Sequence, residues 1–486
     1  MLNLKHRFMR MNHFLTCSKS IAMALMGAGA LFLTSCAEDG YDDNERFGSD
    51  VTGATLESPS ADGIQVTPSA DGKTQTITWR VVNGAGGYLV SLIDEGNPGE
   101  PIVRDSLVDG CSVLLPREED MNYLLTIQTQ GNSQYNNSGA AAATAYHFST
   151  FAQSYATIPD GSDLLEYFTA NPVPDSEEAV FYDLVHGGHY TLNGVLDFSN
   201  HKVVLRSNSK TDLATITYGT EGSIEYCGGF TLKYLNFDCF QSKNPVLAFS
   251  ATPADGILDT EHNSHNQITE PTSIQFCHFT GVRGMFLYDN KVKYCLKTFL
   301  MDNCTVHLQS EKMTNNSVFY IYDGGGFIND FTFNQCTIWN DGESDQKYLI
   351  RYNNSGRCDR AGYMTNSINI LHCTMYNLCK EGQMCNHGGF DGRATSNYQV
   401  IDNIFVDCGN KQVPRRIIGR RADNAEIIFR NNTYWFDGAP ETGNESYDDS
   451  YQLTSDPAFV DAANGNFTPT GSEQLSLRTG DPRWLP

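Results

Sequence analysis

The chain has 486 residues, 40% hydrophobic and 19% charged: enough apolar material for packed cores, too little charge for a disordered polymer. A formal net charge of −24 excludes general affinity for DNA, RNA or anionic lipid, all of which that field repels; it repels a polyuronate as well unless Ca2+ or a local basic patch intervenes. Abundant glycine (43 residues), tyrosine (24) and phenylalanine (27) suit many short strands joined by turns.

The first 35 residues read as a signal segment. Lys5, Arg7, Arg10 and Lys19 precede an apolar run from Ile21 to Leu33, too short to span a membrane as a mature helix. Removing them leaves 29 basic against 57 acidic residues. Leu33-Thr34-Ser35-Cys36 follows and resembles the bacterial lipobox, in which the cysteine is acylated. The resemblance implies Cys36 as the lipidation site and attachment to the outer membrane by acyl chains. Ala37-Glu38-Asp39 is similar to the surface-export signal of gut-anaerobe lipoproteins, which implies a protein facing the cell exterior. Residues 36–58 are acidic and contain Gly and Ser, as a flexible tether would.

Residues 59–151 read as a small β-sandwich. Ile77-Thr78-Trp79 and Val81-Val82 form one strand, Asn83 to Gly87 a turn, and Tyr88 to Leu92 the next strand. Tyr123, Leu125, Ile127 and Thr129 alternate in another. With Trp79 in an early strand, Ala85 and Tyr88 after it and Ser138-Gly139-Ala140 closing, this stretch resembles a fibronectin type III domain. Trp79 and Tyr88 are then core residues, and the domain is a spacer.

Residues 152–486 carry a short helix candidate, Ser162 to Asn171, and then a loose repeat. Its units are two alternating strands around one corner. Examples are Ser273 to Phe279, Phe299 to Val306, Phe331 to Ile338, Ile368 to Met375, Val400 to Phe405 and Ile427 to Tyr434. The corner recurs as Cys277, Cys304, Cys336, Cys373, Asn403 and Asn432, at intervals of 27, 32, 37, 30 and 29 residues. One such coil cannot bury its apolar face alone, but stacked coils bury a continuous interior. These cysteines are therefore ladder residues packing as small hydrophobes. No CxxC pair occurs among the 14 cysteines, which excludes zinc ribbons. Cys379 and Cys385 bracket a loop; with His387 they offer a disulfide or a metal site as alternatives to plain packing. Ser455 to Asp461 and Gly480 to Trp484 resemble the C-terminal closure of β-helix lipoproteins from polysaccharide-utilisation systems, which implies a cap on the last coil.

The expected fold is all-β: a right-handed parallel β-helix of the pectate-lyase type behind a fibronectin type III-like sandwich. Lys411 to Arg430 holds six basic residues, Lys411, Arg415, Arg416, Arg420, Arg421 and Arg430, against Asp423 and Glu426. Arginine pairs bidentately with carboxylates, so the stretch fits a uronate polymer, or else ion pairs with the acidic run Asp437 to Asp461. The pectate lyase resemblance is closest here. That family shows a strand with Asn, then Arg-x-Pro-x-x-Arg, then a strand ending Asn-Asn-x-Tyr. This chain has Asp402-Asn403-Ile404-Phe405, Val413-Pro414-Arg415-Arg416 and Asn431-Asn432-Thr433-Tyr434. Gln412 and Ile417 occupy the two places where the family has arginine, so the catalytic arginine does not carry over. Arg415, Arg416 or Lys411 would have to serve as base.

Arg357, Arg360, Arg393, Arg420 and Arg421 are candidates for substrate binding. β-Elimination also calls for a cation, Ca2+, held by clustered carboxylates; the candidates are Asp323, Asp330, Asp359 and Asp391. Trp339 and Trp435 are available either to stack on sugar or to fill the core. The chain thus reads as a surface lipoprotein that handles acidic, pectin-type plant polysaccharide, with a Ca2+-dependent lyase as the alternative.

Overall fold

The computed structural model describes residues 51–311, 317–353, 357–388, 390, 393–419 and 425–486. Cys36, Asp391, Arg420 and Arg421 therefore lie outside the described residues.

Residues 65–149 form two antiparallel sheets. Gln65–Pro68, Thr74–Thr78 and Ser112–Pro116 make one; Val103–Val108, Tyr88–Asp94, Asn122–Thr129 and Thr144–Ser149 make the other. Their alternation buries Ile77, Tyr88, Val90, Leu92, Leu125 and Ile127 between them. Trp79 joins this core, edge-on to Tyr88 at 5.2 Å. The end of the expected tether belongs here too: Leu56 is buried and its N–H donates to Ser138 O at 2.9 Å.

From Ala156 the chain winds through three parallel sheets in turn, a β-helix-like architecture. Among the described residues sheet 1 has twelve strands, sheet 2 ten and sheet 3 seven. One coil illustrates the path: Phe327–Asn334 in sheet 1, Thr337–Asn340 in sheet 2 and Tyr348–Tyr352 in sheet 3. Helix α1, Leu164–Ala170, packs on the first strands of sheets 2 and 3; Asp163 caps it by accepting from Glu166 N at 3.0 Å.

The corner between sheets 1 and 2 is where sequence and structure agree most closely. One residue turns with positive φ, at Tyr234, Phe276, Asn303, Gln335, His372, Asp402 and Asn431. The next residue points inward, and Cys277, Cys304, Cys336, Cys373, Asn403 and Asn432 are all fully buried there. Asn403 Nδ2 donates to Ile370 O at 2.7 Å and to Asn432 Oδ1 at 2.8 Å. Asn432 Nδ2 donates in turn to Val400 O (2.7 Å) and to Asp448 (2.9 Å), so Asp448 ends the ladder where no further coil follows. Aromatic rings stack from coil to coil inside, as Phe237 on Phe279 at 4.5 Å and Phe299 on Phe331 at 5.0 Å.

All twelve described cysteines are free, and only Cys111 is not buried. Cys379 and Cys385 are thus not joined.

The C-terminal segment departs from expectation. Residues 441–453 close the last coil, but 456–486 turn back along the outer face of sheet 2. Asp481 accepts from Thr337 Oγ1 at 2.7 Å, and Arg483 donates to Asn303 O at 3.1 Å and Cys304 O at 3.2 Å. Phe467 packs on Trp339 and Tyr376 at 5.4 and 5.6 Å. The aromatic tail covers an aromatic outer face and removes both from water. Trp339 is therefore occupied by the chain itself.

The sandwich and the coil meet at a buried arginine. Arg206 is 1% exposed, donates to Asp183 Oδ1 at 2.7 Å and lies 3.7 Å from Asp120 of the sandwich. Its guanidinium sits between the Phe151 and Phe181 rings at 4.9 and 5.0 Å.

Candidate functional site

Sheet 3 presents one outer face, and strand register decides what stands on it. Leu247, Leu287, Phe319, Ile350 and Cys385 point inward and are buried. The neighbours that follow them point outward, and pairing aligns them from coil to coil. The outer ladder reads Asp197, Glu225, Ala248, Tyr288, Tyr320, Arg351, Asn386.

Its centre is aromatic and cationic. Tyr288 and Tyr320 stack at 6.0 Å with 20° between planes, and Tyr322 lies 5.7 Å from Tyr320. Arg351 Cζ lies over the Tyr322 ring at 4.2 Å and over the Tyr348 ring at 4.9 Å. It donates to Asn386 O at 3.3 Å and has no carboxylate within ion-pair distance among the described residues. Most of its five N–H groups remain for another acceptor. Asp323 accepts from Tyr288 and Tyr320 hydroxyls at 3.1 and 3.0 Å. Burial, and then Asp323, push both phenols up, so they stay protonated donors. The glycines after Asp323 are steric: a Cβ on Gly324 would meet Val292 O at 2.0 Å, and one on Gly326 would meet Tyr294 O at 1.9 Å.

Beside the tyrosines the ladder opens. Ala248 is too small to cover the second face of Tyr288, and a cleft of about 390 Å³ lies there, lined by Val195, Glu225, Lys243, Asn244, Met285, Tyr288 and Asn290. Glu225 is fixed by Asn290 Nδ2 at 2.8 Å and Ala251 N at 3.1 Å. Asp289, on the strand's continuation, is fully buried; burial pushes its carboxyl up to about 7 although Gly324 N and Lys291 N donate to it at 2.8 and 3.0 Å. It holds the loop and does not reach the face.

The residues singled out in the sequence fall in four places. Arg415 and Arg416 lie on helix α2, Val413–Ile418, which has Pro414 in its first turn and packs on Gln383–Asn386, the last strand of sheet 3. A helix thus carries the stretch aligned with the Arg-x-Pro-x-x-Arg segment of the pectate lyase resemblance. Arg415 is exposed and Arg416 half-buried. Lys411 ends the turn before it, with Nζ 4.9 Å above the Phe436 ring. The acidic run is served by Lys380, which bridges Asp407 at 3.1 Å and Asp437 at 3.0 Å.

Arg357, Arg360 and Arg393 gather at the corner between sheets 3 and 1, around Asp359. Arg357 binds Asp359 through two N–H groups at 3.0 and 2.8 Å. Burial opposes ionisation of Asp359, but Arg357 and the backbone N–H groups of Arg360 and Arg393 outweigh it and hold the pKa low. Asp330 projects from sheet 1 and accepts from Ser367 at 3.0 Å. Of the described calcium candidates only Asp323 stands on the outer face of sheet 3. No group of three or more His, Cys, Asp or Glu suited to a metal occurs among the described residues. His387 uses Nε2 on Ile417 O at 2.9 Å.

The sequence reading missed Tyr288, Tyr320 and Arg351. The one local signal was Tyr320-Ile321-Tyr322-Asp323, alternating out, in, out before a glycine turn.

The chain is a two-sheet sandwich joined to a β-helix-like coil with one aromatic and cationic lateral face. Three family models match it, each described as a domain of unknown function: DUF4992 over residues 9–186, DUF4957 over 188–341 and DUF5123 over 368–484. No curated protein matches. Among solved structures, the fn3 domain of human collagen alpha-1(XX) chain shares 23% identity, covering 22% of this chain and 96% of that domain, TM-score 0.18. Pectate lyase PelI of Erwinia chrysanthemi, in complex with tetragalacturonic acid, shares 7% identity over 80% of this chain and 99% of that one, TM-score 0.13. A Yersinia enterocolitica family 28 exopolygalacturonase shares 11% over 82% and 84%, TM-score 0.21. At these identities and scores the likenesses bear on neither ligand nor activity.

Proposed function

We propose that this chain is a cell-surface lipoprotein, acylated at Cys36, that binds acidic plant polysaccharide of the pectic kind along the outer face of sheet 3. The sandwich, of fibronectin type III type in this reading, holds a right-handed pectate-lyase-like β-helix away from the membrane. One observation carries the proposal: Arg351, held over the rings of two tyrosines and in no ion pair among the described residues. A guanidinium held by ring faces keeps its edge donors for a planar carboxylate. The cleft beside Tyr288 offers a ring face and amide groups to the neighbouring sugar.

Affinity electrophoresis through polygalacturonate and neutral glycans tests this. The native protein should be retarded by polygalacturonate, and Arg351→Ala should migrate freely. No retardation on polygalacturonate removes the proposal. Unsaturated product absorbing in the ultraviolet, and lost on chelation, would instead establish the Ca2+-dependent lyase.

A further inference from the structure

A second cleft lies where the sandwich meets the coil, on the corner between sheets 1 and 2. Its volume is about 390 Å³; Tyr234, Gln275 and Phe276 line it together with four cations, Lys73, Arg117, Lys210 and Lys233, and four carboxylates, Asp71, Glu118, Glu119 and Asp120. Two features set it apart from an ordinary domain seam.

The first is its floor. Tyr234 and Phe276 stack at 5.3 Å, and both sit at the corner position with positive φ, 57° and 52°. The same corner in later coils carries Asn, Gln, His or Asp, and short polar residues of that kind tolerate this backbone far better than a bulky aromatic does. Tyr234 has a structural reason: its hydroxyl donates to Asp120 at 3.1 Å, and its ring meets Phe151 of the sandwich edge. Phe276 has none of this. It is 39% exposed and strained, with its ring at the cleft. Its one ring contact among the described residues is the stack on Tyr234, and a strained backbone that holds an aromatic ring half in solvent is a mark of a functional position.

The second feature is charge. Lys73 and Arg117 come from the sandwich and Lys210 from the coil. None has a carboxylate within ion-pair distance among the described residues, in a chain of net charge −24. Arg117 spends Nη1 on Gly72 O at 3.2 Å, and Lys210 Nζ hangs 6.0 Å from the Tyr234 ring. Lys233, also in the cleft, is neutralised by Asp120 at 3.0 Å. Asp71, Glu118 and Glu119 border the same space, so the cleft has no net positive field and favours a short ligand whose single anionic group reaches the unpaired cations directly.

We propose that this interdomain cleft is a second glycan site, taking a short anionic oligosaccharide whose ring stacks on Phe276 and whose carboxylate or sulfate meets Arg117, Lys73 and Lys210. It stands on different residues from the sheet 3 site, and the two succeed or fail separately.

Isothermal titration with an oligogalacturonate, a sulfated galactan oligosaccharide and a neutral cello-oligosaccharide decides the matter. The titrations use the full chain and the Phe276→Asn, Arg117→Gln and Arg351→Ala variants. Phe276→Asn places at the corner the residue found at 303 and 431, so its melting temperature should equal or exceed the parent's. The Arg351→Ala protein should still bind one of the two anionic ligands, and adding Phe276→Asn or Arg117→Gln should weaken that binding at least tenfold. Whichever anion binds identifies the ligand's charged group. Binding abolished by Arg351→Ala alone and untouched by Phe276→Asn overturns the cleft and leaves sheet 3 standing. Equal binding of the neutral oligosaccharide, or no binding of either anion by the parent, overturns the cleft as well.

Discussion

Replacing Arg206 with methionine should uncouple the two domains. Methionine keeps most of the volume and loses the charge, so the change is mainly electrostatic. It strands Asp183 and Asp120, whose side chains are only 12% and 9% exposed. Breaking a buried ion pair from one side costs about 3–5 kcal/mol, because the remaining carboxylate keeps its desolvation penalty. Lost contact with the Phe151 and Phe181 rings adds about 1 kcal/mol each, since the cation there is desolvated. Lys233, 3.0 Å from Asp120, recovers part of the loss. A net fall of about 3 kcal/mol or more is expected in urea titration. Limited proteolysis should open the junction around residues 150–155, and adding Asp183→Asn should restore part of the stability. A loss under about 1 kcal/mol, with the junction still protected, would refute the view that Arg206 locks the domains.

Other outcomes follow from the same geometry. Burial raises the Glu441 carboxyl to about 7, from 4.5 in the unfolded chain, so the folded state keeps a proton that the unfolded state has released. Stability from this group is present below about pH 4.5 and is lost as pH rises to 7; Glu441→Gln should match the parent at low pH and exceed it above pH 7 by on the order of 2–3 kcal/mol in thermal melts. Asn432→Ala leaves Val400 O without its donor and removes the acceptor of Asn403 N and Nδ2, and should cost about 2–4 kcal/mol, read by chemical denaturation. In thiol titration of the native protein only Cys111 should react among the described cysteines, all twelve reacting after denaturation. Deleting 456–486 should uncover Trp339 and Tyr376, seen as binding of a hydrophobic dye and loss of solubility.

The coil was legible where the chain repeats itself. Two strands separated by a two-residue corner leave alternation on both sides of a fixed point, so Cys277 through Asn432 fall into one alignment. Helix α1 was legible from Asp163, whose carboxylate caps it. Sheet 3 was not legible, for a physical reason. Its strands are short, Leu287–Tyr288 being two residues, and the loops before them vary in length. A two-residue strand has no alternation to read, and its neighbour a coil away is fixed only by pairing. The ladder of Tyr288, Tyr320 and Arg351 is therefore a product of register, which spacing along the chain does not carry. Charge density in the basic stretch says nothing of its backbone: Val413–Ile418 is a helix over the end of sheet 3, and it carries Arg415 and Arg416 at the rim of the face. The tail misled because aromatic content shows that a segment will be buried, not against which surface.

Hydrogen exchange with and without oligogalacturonate tests the central claim most directly. Slowed exchange should fall in peptides covering 287–290, 319–323 and 348–353, and Arg351→Ala should abolish it. Ligand-induced protection on sheet 1 or the returning tail, with these three segments unchanged, would contradict a glycan-binding face on sheet 3.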